Sequence, residues 1–265
     1  MRIVYALGGH PDTQLTNYHI LIKSILVSFF YKGLLRCVSL WPEIDYLLLD
    51  SGAFSAWSTG AEIDVKQYAD WLDFVKATHG KNIKRIEAVN LDVITNANDS
   101  KTELSKAYTK SMENLYYLKS RGHNVLPVHH QFEPYSILED YAKDFKFICI
   151  SPNNREHTNS KRDYLDGCFK RIKGSVAAHG LAVTAEPLIV RYPWFSVDSS
   201  IVQTPYRYGR IGLRNKNKIG TTQTQGANRN LAYLRRLAHE TIKHLTEMED
   251  LGTNFWKRKG ITWEV

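Results

Sequence analysis

Six apolar runs of this chain end on side chains that can do chemistry. The residues at these ends are Asp50, Asp92, Gln131, Ser151, Glu186 and Asp198. If the runs are neighbouring strands of one barrel, the three aspartates among them point toward one mouth, where repulsion and burial raise some of their pKa values. Paired carboxylates without a cysteine and histidine cage suit a hard cation, or acid/base and nucleophilic work at an acetal-like carbon.

The elements that must position these side chains alternate between strand and helix, which is typical of a parallel α/β architecture. The predicted strands are RIVYAL (2–7), DYLLLD (45–50), IEAVNLD (86–92), VLPVHHQ (125–131), FICIS (147–151), LAVTAE (181–186) and WFSVD (194–198), with RIGL (210–213) as a candidate eighth. Seven or eight such units with short connections favour an α/β fold of the (β/α)8 TIM-barrel type in a single domain, residues 1–265, over an open sheet.

Helices are predicted where apolar residues recur at helical spacing. They cover 65–75, 104–115, 134–145 and 161–172, and a last helix at about 230–250 would cover the outside of the barrel. The most hydrophobic stretch, 20–35, is interrupted by Lys23 and Lys32, and we interpret it as a core-facing helix. Residues 203–230, rich in Gln, Thr, Asn, Gly and Arg, are interpreted as a basic surface loop.

Charge and cysteine content limit the function classes. A net charge of +8 suits a polyanionic partner such as nucleic acid. The three cysteines, Cys37, Cys149 and Cys168, have no paired spacing typical of zinc or disulfides, so we expect a reducing, cytoplasmic location. No apolar window reaches the length of a membrane span, so no membrane partner is expected.

The sequence contains no calcium loop, no phosphate-binding GxxxxGK and no GxGxxG after a strand. We therefore expect no cofactor and no metal. His129 and His130 follow the fourth predicted strand, and since successive strand side chains face opposite ways, one of them could face the site. We predict a structural role for either one.

Two segments, LDSGAFSAW (49–57) and RYPWFSVDSS (191–200), resemble the tRNA-guanine transglycosylase superfamily. The likeness covers roughly 45–210 and is greatest to the short phage and bacterial members without zinc that put 7-deazaguanine bases into DNA. The first segment matches the family's Asp-Ser-Gly-Gly-Phe motif with Ala53 in place of the second glycine, and the second matches the strand that carries the family's aspartate nucleophile.

The resemblance implies a role for each matching residue. Asp198 would attack or stabilise C1′ of the sugar, and Asp50 would hydrogen-bond the base and manage its proton. The base-binding residues it implies are Phe54, Asp92 and Gln131, and we add Ser151 and Asn153 as further base-binding candidates. The glycine pair that shapes the family's 7-deazaguanine pocket is replaced by CISPNN (149–154), which leaves the identity of the base open.

A basic segment at 207–218 contains no acid and predicts contact with a nucleic-acid backbone. Its cations are Arg207, Arg210, Arg214, Lys216 and Lys218. We expect DNA as the partner, since the likeness is greatest to DNA-acting members, and a free 7-deazaguanine base as a second partner if bases are exchanged.

The predicted function is cleavage of the N-glycosidic bond of a flipped-out base in DNA. If water enters the vacated site, the enzyme is a DNA glycosylase that leaves an abasic site, which we favour. If a 7-deazaguanine enters, it is a transglycosylase acting on DNA or, less well supported, on tRNA. A DNA-binding protein with an inactive site and a barrel carbohydrate hydrolase remain alternatives, and a role in phage DNA modification or in antiviral defence is left open.

Overall fold

A computed structural model describes residues 1–7, 22–40, 43–153, 156–183, 185–205, 210–215, 218–223 and 231–263, with the backbone alone described at residue 40 and in 210–215 and 218–223. The strands are β1 Arg2–Ala6, β2 Ser24–Ser28, β3 Tyr46–Asp50, β4 Arg85–Val89, β5 Val125–Leu126, β6 Val128–His130, β7 Phe147–Ser151, β8 Ala177–Gly180, β9 Ser196–Ser199, β10 Arg210–Asn215 and β11 Lys218–Gln223. The α-helices are α1 Ala53–Thr59, α2 Val65–His79, α3 Lys101–Ser120, α4 Tyr135–Asp144, α5 Thr158–Ile172, α6 Glu186–Arg191 and α7 Leu231–Arg258. Two 3-10 segments cover Phe29–Leu40 and Ile201–Gln203.

Strands β1 to β9 form one parallel sheet that closes into a barrel. Their order is β5-β4-β3-β2-β1-β9-β8-β7-β6. The two end strands, β5 and β6, are consecutive in the chain and only Pro127 separates them. Proline has no N–H and interrupts the ladder, but its carbonyl accepts a hydrogen bond from the Cys149 N–H at 2.8 Å. The two short strands therefore act as one, and the predicted (β/α)8 barrel is confirmed.

Side-chain alternation along the strands separates the barrel interior from the layer beneath the helices. In β3, Tyr46 and Leu48 belong to the interior cluster, whereas Leu47 and Leu49 pack in the cluster under the helices. Because side chains alternate along the strand, Asp50, the last residue of β3, also faces the interior. The run of leucines thus places a carboxyl at the C-terminal mouth of the barrel.

The N-terminal end of the barrel is filled by a hydrogen-bonded charge pair among aromatic rings. Buried Glu87 accepts hydrogen bonds from the Tyr46 hydroxyl at 2.8 Å and from Arg85 Nε at 2.9 Å. The Arg85 guanidinium lies 4.9 Å from the centre of the Phe195 ring, a favourable cation–π contact. A buried ion pair needs such partners to be tolerated. These side chains fill the N-terminal end, so the C-terminal mouth is the open end of the barrel.

The interpretation of 20–35 as a core-facing helix was wrong. Residues 24–28 form the fully buried strand β2, which pairs with β1 on one side and β3 on the other. A short run of apolar residues fits a central parallel strand as well as a helix, and pairing on both sides decides in favour of the strand. The 3-10 segment that follows covers 29–40.

The strand predicted at 181–186 was also wrong. The strand is β8, four residues earlier, and Ala182 in the turn after it has a left-handed φ of 54°. Glu186 is therefore not at a strand end and begins α6 instead. The segment AAHG of β8 contains no bulky apolar residue, so its sequence lacks the usual strand signal.

Residues 210–213 belong to no barrel strand. They lie in β10, which pairs with β11 as a separate antiparallel hairpin and lies against α7. The segment expected to be a loop over 203–230 thus contains this hairpin, and residues 206–209, 216–217 and 224–230 lie outside the described part of the chain.

The other helices follow the predicted periodicity, and α2, α3, α4 and α5 are confirmed. A reciprocal capping box between Ser100 and Glu103 starts α3. Helix α7 runs to residue 258 and packs on β1 and α6, with Leu237, Ile242 and Leu245 buried along one face. Within the described residues, no helix combines the length and the apolar character needed to cross a membrane.

Candidate active site

The C-terminal mouth of the barrel holds a cavity of about 430 Å³. This size is typical of a site for a small molecule. The residues expected at the site from the sequence that line this cavity are Asp50, Phe54, Asp92, Gln131, Ser151, Asn153 and Asp198. The barrel thus brings together side chains that lie up to 148 positions apart (from 50 to 198) in the chain.

A tight turn after β3 fixes Asp50. Its Oδ2 accepts a hydrogen bond from the Gly52 N–H at 3.1 Å, and Gly52 has a left-handed φ of 80°. A Cβ atom at this glycine would lie 2.7 Å from Phe30 Cβ and 2.9 Å from the Phe30 nitrogen. Both the φ and the close approach require glycine here. Ala53, where the related family has a second glycine, is the buried first residue of α1 and lines the cavity.

We expect Gly52→Ala to destabilise the protein by about 2–4 kcal/mol, because the left-handed backbone and the overpacking against Phe30 each cost about 1–2 kcal/mol. Gly60→Ala is the matched control, since Gly60 has a φ of 70° with nothing within 4 Å of an added Cβ. Urea unfolding measures both variants. Equal losses at the two positions would show that Phe30 does not constrain the turn.

The carboxyl of Asp50 titrates unusually high, with its pKa raised to about 6. Burial is the largest cause, and the charges of Asp198 and Asp92 raise the pKa further. The Ser28 hydroxyl and the Gly52 N–H act in the opposite direction and do not cancel the increase. Asp50 is therefore able to hold a proton near neutral pH and to give it up, which is the requirement for a general acid.

Asp92 is paired with His130 inside the mouth. His130 Nε2 lies 2.5 Å from Asp92 Oδ2, and both side chains are buried. Burial lowers the pKa of His130, but the charge of Asp92, the hydrogen bond to it and the charge of Glu133 outweigh that effect, and the pKa is raised. Glu133 also accepts a hydrogen bond from the His130 backbone N–H at 2.9 Å. The pair presents Asp92 as a fixed acceptor at the cavity wall.

We expect His130→Leu to destabilise the protein by about 3 kcal/mol at pH 6, since it leaves a buried carboxylate without its partner. A histidine with a raised pKa stabilises the fold fully below its unfolded pKa and loses that contribution as pH rises through the folded value. The difference from wild type should therefore shrink between pH 6 and pH 9. Unfolding of the single and double variants with Asp92→Asn measures the coupling, and additive losses would contradict a direct pair.

His129 faces the other way and has a structural role. Its Nδ1 lies 2.8 Å from the Tyr164 hydroxyl, and its ring forms a three-ring cluster with Tyr135 and Tyr164 beneath the helices. Burial lowers the pKa of His129 to about 4. The structural role predicted for either histidine is thus correct for His129, and His130 is the one that faces the cavity, because the alternation of β6 turns only that side chain to it.

Asp198 reaches the cavity from β9. Its Oδ1 accepts a hydrogen bond from the Ala182 N–H at 2.7 Å and lies 3.4 Å from His179 Nε2. Among the described residues, no hydrogen bond to Oδ2 is formed. One oxygen of this carboxylate is thus held by the turn after β8, and the other is available to a ligand.

Gln131 is engaged within the protein. Its Oε1 accepts a hydrogen bond from the Asn153 N–H at 2.8 Å, and its Nε2 donates to the Ser160 hydroxyl at 3.3 Å. The Gln131 N–H donates to the Ser151 carbonyl at 3.2 Å. Both atoms of the Gln131 amide therefore brace the segment after β7, which forms one wall of the cavity with Pro152.

Aromatic side chains surround the entrance. Phe54 is 51% exposed and its ring lies 5.8 Å from that of Trp57, and exposed Tyr31 lines the same opening. Exposed rings beside a cavity offer flat surfaces on which a nucleobase can stack. Phe54 thus lies at the entrance to the cavity, and its stacking on a base stays a prediction.

The cations expected to bind a nucleic-acid backbone are not described at side-chain level. Arg207 and Lys216 lie outside the described residues, and Arg210, Arg214 and Lys218 are described only by the backbone of the β10-β11 hairpin. Their contact with a nucleic acid stays a prediction.

The sequence left open which of His129 and His130 faces this mouth, and it gave no sign of His179 there. The alternation of β6 was the signal available for His130, but the order of the two faces was not fixed by the sequence. His179 lies in β8, the strand that was predicted four residues too late, so the sequence did not predict that His179 lies beside Asp198. Within the described residues, no three His, Cys, Asp or Glu side chains are grouped so that they could hold a metal ion.

Comparison with known proteins finds only distant structural likeness. No protein-family model matches this sequence, and no curated protein matches it. Among solved structures, the chain is similar to tryptophan synthase from M. tuberculosis in a ligand-free form, with a TM-score of 0.44, 9% identity and coverage of 92% of this chain and 93% of that chain. An aminoacrylate-bound form of that protein gives a TM-score of 0.44 and 10% identity over 92% and 93% of the chains. The assignment of a barrel rests on the strand pairing described above.

Proposed function

We propose that this protein is an enzyme that cleaves the N-glycosidic bond of a base in DNA and leaves an abasic site. The observation that carries the proposal is that Asp50 and Asp198 enter one cavity from β3 and β9, close enough for the charge of Asp198 to raise the pKa of Asp50. One carboxyl that holds a proton and one carboxylate with an available oxygen are the two groups that glycosidic cleavage needs.

In the first step, Asp198 Oδ2 forms a bond to C1′, or stabilises the positive charge there, as the C1′–N bond breaks. The base leaves with the electron pair of that bond and takes the proton of Asp50. In the second step, water adds to C1′, its proton returns to Asp50, and the carboxylate of Asp198 is regenerated. The net reaction consumes one water and releases one base, with Asp50 acting first as an acid and then as a base.

The walls of the cavity support a flat, hydrogen-bonding ligand. Phe54 would stack on a base that has left the DNA helix, and this contact offsets part of the few kcal/mol that unstacking costs. Asp92, held by His130, would accept a hydrogen bond from the base edge. This arrangement is in keeping with the resemblance to the tRNA-guanine transglycosylase superfamily in DSGAF and in the strand that carries Asp198.

Excision is favoured over exchange by the state of Gln131. Its amide oxygen, implied by the resemblance to read the base, already accepts the Asn153 N–H. An exchanging enzyme must accept both an outgoing and an incoming base in one pocket, whereas an excising enzyme recognises only what it removes. Because the Gln131 amide oxygen is already bonded within the protein, its engagement weakens the case for an enzyme that accepts two bases more than the case for one that recognises a single base.

DNA is the proposed partner because the chain carries a net charge of +8 and because the basic hairpin follows the Asp198 strand in the chain. Phosphate contacts supply most of nucleic-acid affinity and make it depend on salt. A barrel carbohydrate hydrolase would show no such salt dependence.

The deciding experiment incubates the protein with single- and double-stranded DNA containing guanine or modified bases, with and without isotope-labelled 7-deazaguanine. Abasic sites formed without added base are expected. Incorporation of the label without alkali-labile sites would replace excision by exchange. Neither product from any DNA would reject N-glycosidic cleavage.

A further inference from the structure

His179 is a fully buried histidine beside Asp198. It lies on β8, where it pairs in register with Ser196 of β9, and its side chain is 0% exposed. Its Nδ1 lies 2.8 Å from the Ser196 hydroxyl, whereas its Nε2 is buried and makes no hydrogen bond with any part of the chain that the structure describes. A buried polar atom without a partner is costly, so such an atom needs a reason in the structure.

The polar atom that faces His179 Nε2 is the Asp198 carboxylate, with 3.4 Å between Nε2 and Oδ1. A bare nitrogen lone pair in this position would be repelled by the carboxylate, so Nε2 carries the hydrogen. The Ser196 hydroxyl can donate to Nδ1 of a neutral ring or accept from Nδ1 of a protonated one, and in both states the hydrogen stays on Nε2, the nitrogen that lies 3.4 Å from Asp198 Oδ1 but is not aligned for a hydrogen bond in this structure. Hydrogen bonds in unliganded active sites are often long and tighten when substrate binds.

The other donor to the same oxygen is the Ala182 N–H at 2.7 Å. Ala182 adopts a φ of 54°, an unfavourable left-handed conformation for a residue with a Cβ atom. Strained backbone of this kind is retained where the surrounding structure depends on it. The strained turn and His179 therefore converge on a single atom, Asp198 Oδ1.

We infer that His179 is a positioning residue for Asp198: with the Ala182 N–H it holds Oδ1, so that Oδ2 is the oxygen presented to the sugar carbon. This inference rests on the proposed function. When Oδ2 bonds to C1′, Oδ1 becomes the carbonyl oxygen of the ester, and when water releases the sugar, the returning negative charge is shared with Oδ1. The two N–H groups fix the carboxylate for the first step and stabilise it as the leaving group of the second.

The test combines one measurement without substrate and one with DNA. Nitrogen NMR of the ¹⁵N-histidine-labelled protein, with the His179 signals assigned by their absence in His179→Gln, should show a hydrogen on Nε2. In single-turnover base release, His179→Leu should lose about 100-fold in rate with DNA binding within about twofold of wild type, since misplacing a reacting group by 1 Å costs about that much.

His179→Gln keeps an amide N–H near the position of Nε2 and should recover at least tenfold of that loss. A lost rate with no recovery in the glutamine variant, or wild-type rate in a folded leucine variant, would overturn the inference. An NMR spectrum of His179 with hydrogen on Nδ1 alone would also overturn the inference. This spectrum can be measured whether or not the protein cleaves DNA. If no DNA loses a base while Nε2 carries hydrogen, the proposed function fails and the placement of the His179 N–H stands. If the leucine variant does not fold, the rates of single-turnover base release by His179→Gln and Ser196→Ala are compared with wild type in its place.

Discussion

Replacing Asp198 with asparagine is expected to lower the rate of base release by at least about 1,000-fold, because the variant loses the charge that attacks or stabilises C1′. Asparagine keeps an oxygen that can accept the Ala182 N–H, which the wild-type carboxylate accepts at 2.7 Å. The fold should therefore persist, and salt-dependent DNA binding should be unchanged within about twofold. Single-turnover release of free base, followed by mass spectrometry, measures the loss.

Asp163→Asn is a suitable control, since Asp163 is exposed on α5 and lines none of the mouth cavity. It should behave as wild type in both assays. If Asp198→Asn releases base at the wild-type rate, Asp198 is not the group that acts on the sugar. If binding and biological effect both survive without any base release by wild type, the protein is a DNA-binding relative with an inactive site.

Replacing Asp50 with asparagine is expected to stabilise the protein above pH 6 while lowering its activity by at least about 100-fold, the usual contribution of a general acid. The pKa of Asp50 is raised from 3.8 to about 6 in the fold, so the folded state binds this proton more tightly than the unfolded chain. Stability is therefore lost as pH rises from about 4 through 6. Asparagine removes that loss and should gain about 3 kcal/mol at pH 8.

Urea unfolding at pH 4 and pH 8 separates this gain from a general effect of the substitution. The gain should disappear at pH 4, where Asp50 is protonated in wild type, and Asp163→Asn should show no comparable pH dependence. An equal change at both pH values would mean that Asp50 is not held in its protonated form by the site. Activity retained in Asp50→Asn would assign the proton of the leaving base to another group.

Asp50 shows how much of the site the sequence could predict. The run YLLLD is apolar up to a polar end, which predicts a strand that ends on the carboxyl, and the alternation of strand side chains then turns that carboxyl to the interior. The same reasoning located Asp92 and Asp198 at other strand ends, and a parallel barrel makes all such ends converge. The alternating pattern of strands and helices was therefore enough to gather three carboxylates at one mouth.

The neighbours of those carboxylates could not be predicted, because they depend on register between strands far apart in the chain. His179 faces Asp198 only because β8 and β9 pair with His179 opposite Ser196. The strand itself was misplaced, since AAHG carries little β-forming signal and the bulkier LAV that follows it forms a turn. Likewise β2 was taken for a helix because a short apolar run has no period of its own.

The central claim, that this mouth cleaves an N-glycosidic bond with Asp50 as the acid, is tested most directly by counting abasic sites and free base in DNA incubated with wild-type protein between pH 5 and pH 8. We expect the two products in equal amounts, at a rate that falls as pH rises above about 6, where Asp50 loses its proton. No abasic sites in any DNA, or a rate that rises through this pH range, would contradict the claim.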